Sequence, residues 1–175
     1  APYYQNCVGI FDPTTSVFNC LSITAGNYTK FAGATTANDG RVIFAPSEAD
    51  CVGIFDPTTN TFSCVDIPST IIKSSEFRVY TFNGAATTSD GRVVFAPYYG
   101  DCVGIFDPAI SAFSCAPVPS TVSGGRFEGA ATASDGRVIF APLQADCVGT
   151  VTLRVQPPSS PPSPPLSPPS PPSPP

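Results

Sequence analysis

The sequence predicts an all-β chain built from three copies of one short-stranded unit and continued by an extended proline-rich tail. The phrase F-x-G-A-x-T-x-x-D-G-R-V-x-F-A-P stands at residues 31–46, 82–97 and 127–142. The companion phrase D/N-C-V-G puts cysteines at Cys7, Cys51, Cys102 and Cys147, in steps of 44, 51 and 45 residues. A period in that range marks stacked or radially arranged supersecondary units. Within a unit, runs of β-formers alternate with Gly, Pro and Asp, and no segment sustains a 3.6-residue period. From Pro157 the chain reads PPSSPPSPPLSPPSPPSPP, a composition that cannot build a core. The reading is therefore a β-repeat domain over 1–156 and a Ser-Pro-Pro rod over 157–175.

The elements follow in order. The opening APYYQNCVGIFDP matches APYYGDCVGIFDP from Ala96 onward, so the chain starts inside a unit, as a mature or cut piece of something longer would. V-G-I-F, a turn over Asp12–Thr15 and F-x-C form a first hairpin. Each full unit then begins with a strand pair joined at Asp39-Gly40, Asp90-Gly91 or Asp135-Gly136. Asp-Gly between apolar runs is a strong hairpin signal, because tight turns want positive φ. The D-P hairpin that follows completes four strands per unit. The last unit ends differently: VGTVTLRV abandons the turn and supplies no second cysteine. It predicts a lone strand over Cys147–Val155, alternating Val151, Leu153 and Val155, whose unpaired backbone invites strand addition. The N-terminal hairpin and the strands of 127–155 read as complementary parts of one unit that meet within a chain or between chains.

Six cysteines fall into C-x12-C pairs: Cys7 with Cys20, Cys51 with Cys64, and Cys102 with Cys115. A hairpin turning at Asp12–Thr15 sets Cys7 directly opposite Cys20, and the same symmetry holds at Asp56–Thr59 and Asp107–Ile110. Opposed residues approach disulfide reach. Three intra-unit disulfides are expected, each worth about 3 kcal/mol in the loop-entropy model, and with them an oxidising, extracytoplasmic location. Zinc fits poorly, since the spacing lacks a C-x2-C knuckle and the chain has no histidine. Cys147 is left over, either for an intermolecular bond or as an unpaired thiol, free or buried.

Composition excludes several classes. Eight Lys and Arg against thirteen Asp and Glu give a net charge of -5, which argues against nucleic acid as a partner. No apolar run of membrane-spanning length occurs. His, Trp and Met are absent, which removes the usual general base and the commonest metal ligand. The remaining acids recur with the repeat, as scaffolding does, and no catalytic residue, cofactor or metal is expected. Asp12, Asp56 and Asp107 precede proline, where Asp caps its own backbone. Arg41, Arg92 and Arg137 follow Asp-Gly and are expected to pair with a carboxylate of the same or the adjacent unit. Asn6, Asp50, Asp101 and Asp146 precede the cysteines at strand starts. No D-x-D-x-D loop supports calcium. Tyr3-Tyr4 and Tyr98-Tyr99 suit sugar stacking, but Ser47-Glu48 and Leu143-Gln144 replace them elsewhere, so no symmetric sugar pocket is expected.

Four short strands in such a period resemble kelch-type and related β-propeller repeats, on the phrases G-A-A-x-x-x-D-G-R-V-x-F-A-P and V-x-I-F-D-P over roughly Ala1–Val155. The paired Gly and distal Trp of standard kelch units are absent. Three units are fewer than the four to eight of a closed ring. The Ser-Pro-Pro rod is similar to those of plant extensins and green-algal pherophorins. It takes polyproline II and reaches about 59 Å. That likeness implies covalent glycans, with hydroxylation and O-glycosylation at Pro157, Pro158, Pro161, Pro162, Pro164, Pro165, Pro168, Pro169, Pro171, Pro172, Pro174 and Pro175. The plainer reading of the tail is a bare flexible linker or an SH3-type ligand, and extracellular disulfides count against the SH3 ligand. Asn27-Tyr28-Thr29 is an N-glycosylation sequon. The function expected is a non-enzymatic structural subunit of an extracellular fibril, wall layer or flagellar-surface filament, whose partner is itself, head to tail. The alternative is a carbohydrate-binding propeller held in the matrix by its rod.

Overall fold

The computed structural model describes residues 1–24, 29–69, 81–122 and 127–153. Asn27, residues 154–155 of the expected last strand, and all twelve tail prolines lie outside the described residues, as does the junction expected at 156. Thirteen strands and no helix make up the described chain, so no helix among the described residues is long and apolar enough to cross a membrane. The first sheet holds β1 (Cys7–Asp12) and β2 (Val17–Ser22). The second holds β3 (Phe31–Thr36), β4 (Val42–Pro46), β5 (Cys51–Asp56) and β6 (Thr61–Asp66). The third repeats it with β7 (Phe82–Thr87), β8 (Val93–Pro97), β9 (Cys102–Asp107) and β10 (Ala112–Pro117). The fourth holds β11 (Phe127–Thr132), β12 (Val138–Pro142) and β13 (Gly149–Val151). Every ladder is antiparallel and joins strands adjacent in the chain.

All three expected disulfides are present, with Cα–Cα separations of 5.5, 5.6 and 5.6 Å. The hairpin register beneath them differs from the expectation. Cys7 lies opposite Ser22 and Cys20 opposite Gly9, with Asp12 facing Val17. The loop is Pro13–Ser16, not a turn over Asp12–Thr15, and the same offset recurs at Asp56–Thr61 and Asp107–Ala112. The cause is a left-handed residue closing each loop: Ser16, Asn60 and Ser111 sit at φ 55, 53 and 52°. Asp12 Oδ1 accepts from the Thr14 N–H at 2.8 Å, and Asp56 and Asp107 do the same for Thr58 and Ala109. The register moves by two residues, which keeps both cysteines on one face; a shift of one would have separated them. The bond is thus diagonal rather than directly opposed.

The Asp-Gly turns also resolve differently from a two-residue hairpin. The Gly91 N–H donates to Thr88 O at 3.0 Å and the Thr88 N–H to Arg92 O at 2.8 Å, while positive φ is confined to Gly91. This is a three-residue loop ending in a glycine bulge. The arginine that follows folds back on its own turn. Arg41 and Arg137 reach Asp39 and Asp135 at 2.6 and 2.7 Å, and Arg92 pairs with Asp90. Of the two carboxylates expected, then, the pairing falls in the same unit. Each guanidinium holds its partner aspartate below the ordinary carboxylate range by donating to it. Backbone donors from Thr14 and Thr58 do so for Asp12 and Asp56. A folded value below the unfolded one, about 3.9, gives stability that is present above it and lost as pH falls through the folded values. Thermal unfolding followed by circular dichroism is expected to lose its midpoint only below about pH 4. A loss of midpoint set in by side-chain titration between pH 5 and 7 would contradict this, since the chain has no histidine.

Packing repeats with the sequence. In the second sheet Phe31, Phe44 and Phe62 meet with ring centroids 5.8–6.2 Å apart, and in the third Phe82, Phe95 and Phe113 do so at 5.9–6.2 Å. Each triad rests on the glycine of C-V-G: a Cβ on Gly53 would lie 2.8 Å from Phe31, and one on Gly104 3.0 Å from Phe82 and Phe95. The fourth sheet keeps the pair Phe127 and Phe140, at 5.7 Å. This Phe face of each sheet packs on the aliphatic face of the sheet before it. One cluster joins Ile43, Ala45, Val52 and Ile54 to Phe82, Phe95 and Phe106; another joins Val94, Ala96 and Val103 to Phe127, Val138 and Phe140. A third sets Val8 and Ile23 against Phe31, Phe44 and Phe55. The four sheets therefore stand side by side in chain order.

Candidate functional site

The first strands of the sheets, β3, β7 and β11, run against one another and line a common axis. Their close approach comes from the glycine of F-x-G-A, placed at a register break in each ladder. Gly33 and Gly84 adopt φ 110 and 111°, and a Cβ on Gly33 would stand 2.7 Å from Gly84 Cα. Farther along, threonine hydroxyls stitch the same strands. Thr87 Oγ1 donates to Thr36 O at 2.7 Å, and Thr132 Oγ1 to Thr87 O at 2.6 Å.

Antiparallel connection gives the sheets two unlike ends. At the turn face lie the Asp-Gly-Arg and Asp-Pro loops, nearly identical from unit to unit. Arg41 Nη2 there donates to Pro108 O of the next sheet at 2.8 Å. At the opposite, loop face β4, β8 and β12 end and β3, β7 and β11 begin. Backbone bonds knit this face from sheet to sheet. The Lys30 N–H donates to Tyr3 O at 3.0 Å and the Thr81 N–H to Ser47 O at 2.8 Å, while the Ser47 and Tyr98 N–H groups donate back to Lys30 O and Thr81 O at 2.9 and 3.0 Å. Asn6, Asp50 and Asp101 serve here through their carbonyls, which accept from Ile23, Ile67 and Val118 at 2.8, 2.9 and 3.0 Å.

Each end of the axis opens into a groove. On the turn face a volume of about 480 Å³ is lined by Thr36, Thr87 and Thr132 at one repeat position and Asn38, Ser89 and Ser134 at another, with Asp135 among their neighbours. On the loop face a volume of about 460 Å³ is lined by Tyr3, Ala32, Gly33, Asn83 and Glu128. Ala32, Asn83 and Glu128 occupy the same position of the repeat, the variable residue of F-x-G-A, so the fold brings three chemically different side chains to one mouth. The Tyr3 ring beside them meets Tyr4 edge to face at 4.7 Å. This is the candidate site.

Sequence reasoning named Tyr3 but missed the other three, because each stood as an unremarked variable position; its lack of repetition was the available signal. Tyr98 and Tyr99 also pair edge to face, at 4.4 Å, but do not line this groove. Cys147 is free and exposed, which rules out burial as its state. Among the described residues no group of three or more His, Cys, Asp or Glu stands close enough to hold a metal.

No protein-family model matches the chain, and no curated protein matches it. Solved structures do. Virginiamycin B lyase from Staphylococcus aureus is similar over 84% of this chain and 45% of its own, at 14% identity and a TM-score of 0.68. Its catalytically inactive histidine-to-alanine variant with quinupristin is similar over 86% and 50%, at 11% and 0.63. These sheets are blades of a β-propeller-type fold. The extracellular domain of a protein assigned as a one-component system in B. thetaiotaomicron matches 77% of this chain and 17% of its own, at 9% identity and a TM-score of 0.56. The chain spans about half the length of the lyases it matches.

Proposed function

We propose that the chain is a non-enzymatic structural subunit of an extracellular, glycosylated fibril, wall layer or flagellar-surface filament, associating with copies of itself head to tail. The observation that carries this reading is a pair of open, mutually complementary flanks. Inside the chain every Phe face covers an aliphatic face: Val52 and Val103 are 0 and 6% exposed, Phe55 and Phe106 7 and 0%. Their equivalents on the outer flanks, Val148 and Phe11, are both 59% exposed. Phe18, opposite Phe11 in the β1–β2 ladder, is exposed with it. A surface like that of Val52 and its neighbours suits Phe11, and the last blade of another copy offers one. Contact of that kind is heterologous, and gives a ring or an open filament according to whether its rotation closes.

The expected complementarity of the two end sheets needs one revision. β13 already pairs with β12 through Phe140 and Gly149, in the place that β5 takes beside β4. The hairpin β1–β2 is therefore not the strand pair that β12 lacks within this chain, and among the described residues β13 is the outer strand of its sheet.

Other features support the reading. Three disulfides suit an oxidising exterior, and the neighbours include an extracellular domain. The Ser-Pro-Pro tail, similar to extensin and pherophorin rods, supplies reach and sites for hydroxyproline-linked glycans, with Asn27 a further site. Likeness to a lyase lends no support to lyase chemistry here: that enzyme's histidine-to-alanine variant is inactive, and this chain has no histidine. Electron microscopy of native material, with subunit mass measured on the same sample, tests the whole. Filaments of fixed axial repeat built from subunits heavier than the bare 18.1 kDa polypeptide are expected. Monodisperse monomers of the bare mass would overturn it.

A further inference from the structure

We infer that the loop-face mouth of the axial groove is a binding site for a small, uncharged, hydroxyl-rich ligand, of the size of one or two sugar rings. This goes beyond the structural reading and does not depend on it. The argument starts from symmetry. In F-x-G-A the Phe and Gly recur unchanged: each Phe packs on a neighbouring ring of its own sheet, and Gly33 and Gly84 pack on the next strand. The residue between them carries no such duty and differs each time. All three copies nevertheless converge on one concavity, beside a tyrosine, so their differences read as the composition of a single site.

That composition selects a chemistry. Ala32 leaves room on one side. Asn83 offers two donors and an acceptor, and Glu128 a carboxylate acceptor, a set that fits adjacent hydroxyls, each of which both donates and accepts. The Tyr3 ring, packed against Tyr4, adds an apolar surface that suits the C–H face of a sugar. No Lys or Arg lines the groove, which disfavours phosphate, sulfate and uronate. A single carboxylate lines it, too few for a divalent cation. A volume of about 460 Å³ lies within the range of small-ligand sites. The turn-face groove is the internal contrast: threonine recurs there in every unit, as Thr36, Thr87 and Thr132, and the Thr87 and Thr132 hydroxyls are committed to backbone carbonyls.

Ligand-observed saturation-transfer NMR on the full chain tests this whatever the state of assembly. The probes are galactose, arabinose, glucose and cellobiose, each at high millimolar concentration, with spermidine as a charged amine. At least one sugar is expected to receive saturation through its ring protons. Asn83→Ala and Glu128→Gln should each weaken that binding by about tenfold, a loss of roughly 1.4 kcal/mol. Ser134→Ala at the opposite mouth should leave it unchanged. Circular dichroism checks that the variants fold, which is expected because Glu128 is exposed and Asn83 half-exposed. Failure of all four sugars would overturn the inference. So would binding that survives both loop-face variants, or saturation of spermidine alone. None of these outcomes bears on self-association, which is read separately by sedimentation.

Discussion

Replacing Gly84 by alanine is expected to cost the fold about 3–5 kcal/mol, summing backbone strain and overpacking. Two causes act at once. Gly84 holds φ 111°, a conformation that side chains rarely adopt, and a new Cβ would stand 2.9 Å from both the Glu128 carbonyl oxygen and Gly129 Cα. Those atoms are backbone of the next blade, so nothing flexible can yield. Gly129, at the same repeat position, is the control. A Cβ there meets only Ala141 Cβ, at 3.5 Å, among the described residues. Gly129→Ala is expected to stay within about 1 kcal/mol. Chemical denaturation of the two variants checks the pair. Equal losses would mean that β7 and β11 do not meet at Gly84.

Phe95→Ala is expected to lose about 3–5 kcal/mol, the usual cost of deleting a fully buried aromatic ring. Phe95 is fully buried, stacks on Phe113 at 6.2 Å and touches Phe82 at 5.9 Å, and the cluster it belongs to joins two blades. Phe18→Ala provides the comparison. Phe18 is 66% exposed on the open Phe flank, so its truncation should fall within about 0.5 kcal/mol in a monomer. The contrast between the two separates a ring that holds blades together from one that awaits a partner.

Much of this architecture could be read from the residues. Asp-Gly and Asp-Pro located the turns, and C-x12-C located the staples, because both are local devices repeated at a fixed spacing. The hairpin register could not be read so closely. A turn over Asp12–Thr15 and a loop over Pro13–Ser16 differ only in which residue goes left-handed, and Ser16 carries no sequence mark of that role. The disulfides were foreseen despite this, since a two-residue offset preserves the face. The groove was invisible for a different reason. Ala32, Asn83 and Glu128 are 51 and 45 residues apart in sequence, and only the stacking of blades about an axis makes them neighbours. The pairing of Phe with aliphatic faces is tertiary in the same sense: each face is apolar in the sequence, and its partner is fixed only when sheets meet.

Sedimentation velocity on two flank variants, alone and mixed, tests head-to-tail association most directly. Phe11→Asp spoils one flank and Val148→Asp the other, and both positions are exposed, so each variant should fold. Wild type is expected to form species larger than a dimer or a closed ring as concentration rises. Each variant alone should remain a monomer, because it keeps one of two unlike surfaces. An equimolar mixture should give a heterodimer and nothing larger, since the sound aliphatic flank of Phe11→Asp meets the sound Phe flank of Val148→Asp. Monomeric wild type at high concentration, or variants that self-associate as readily as wild type, would contradict the account.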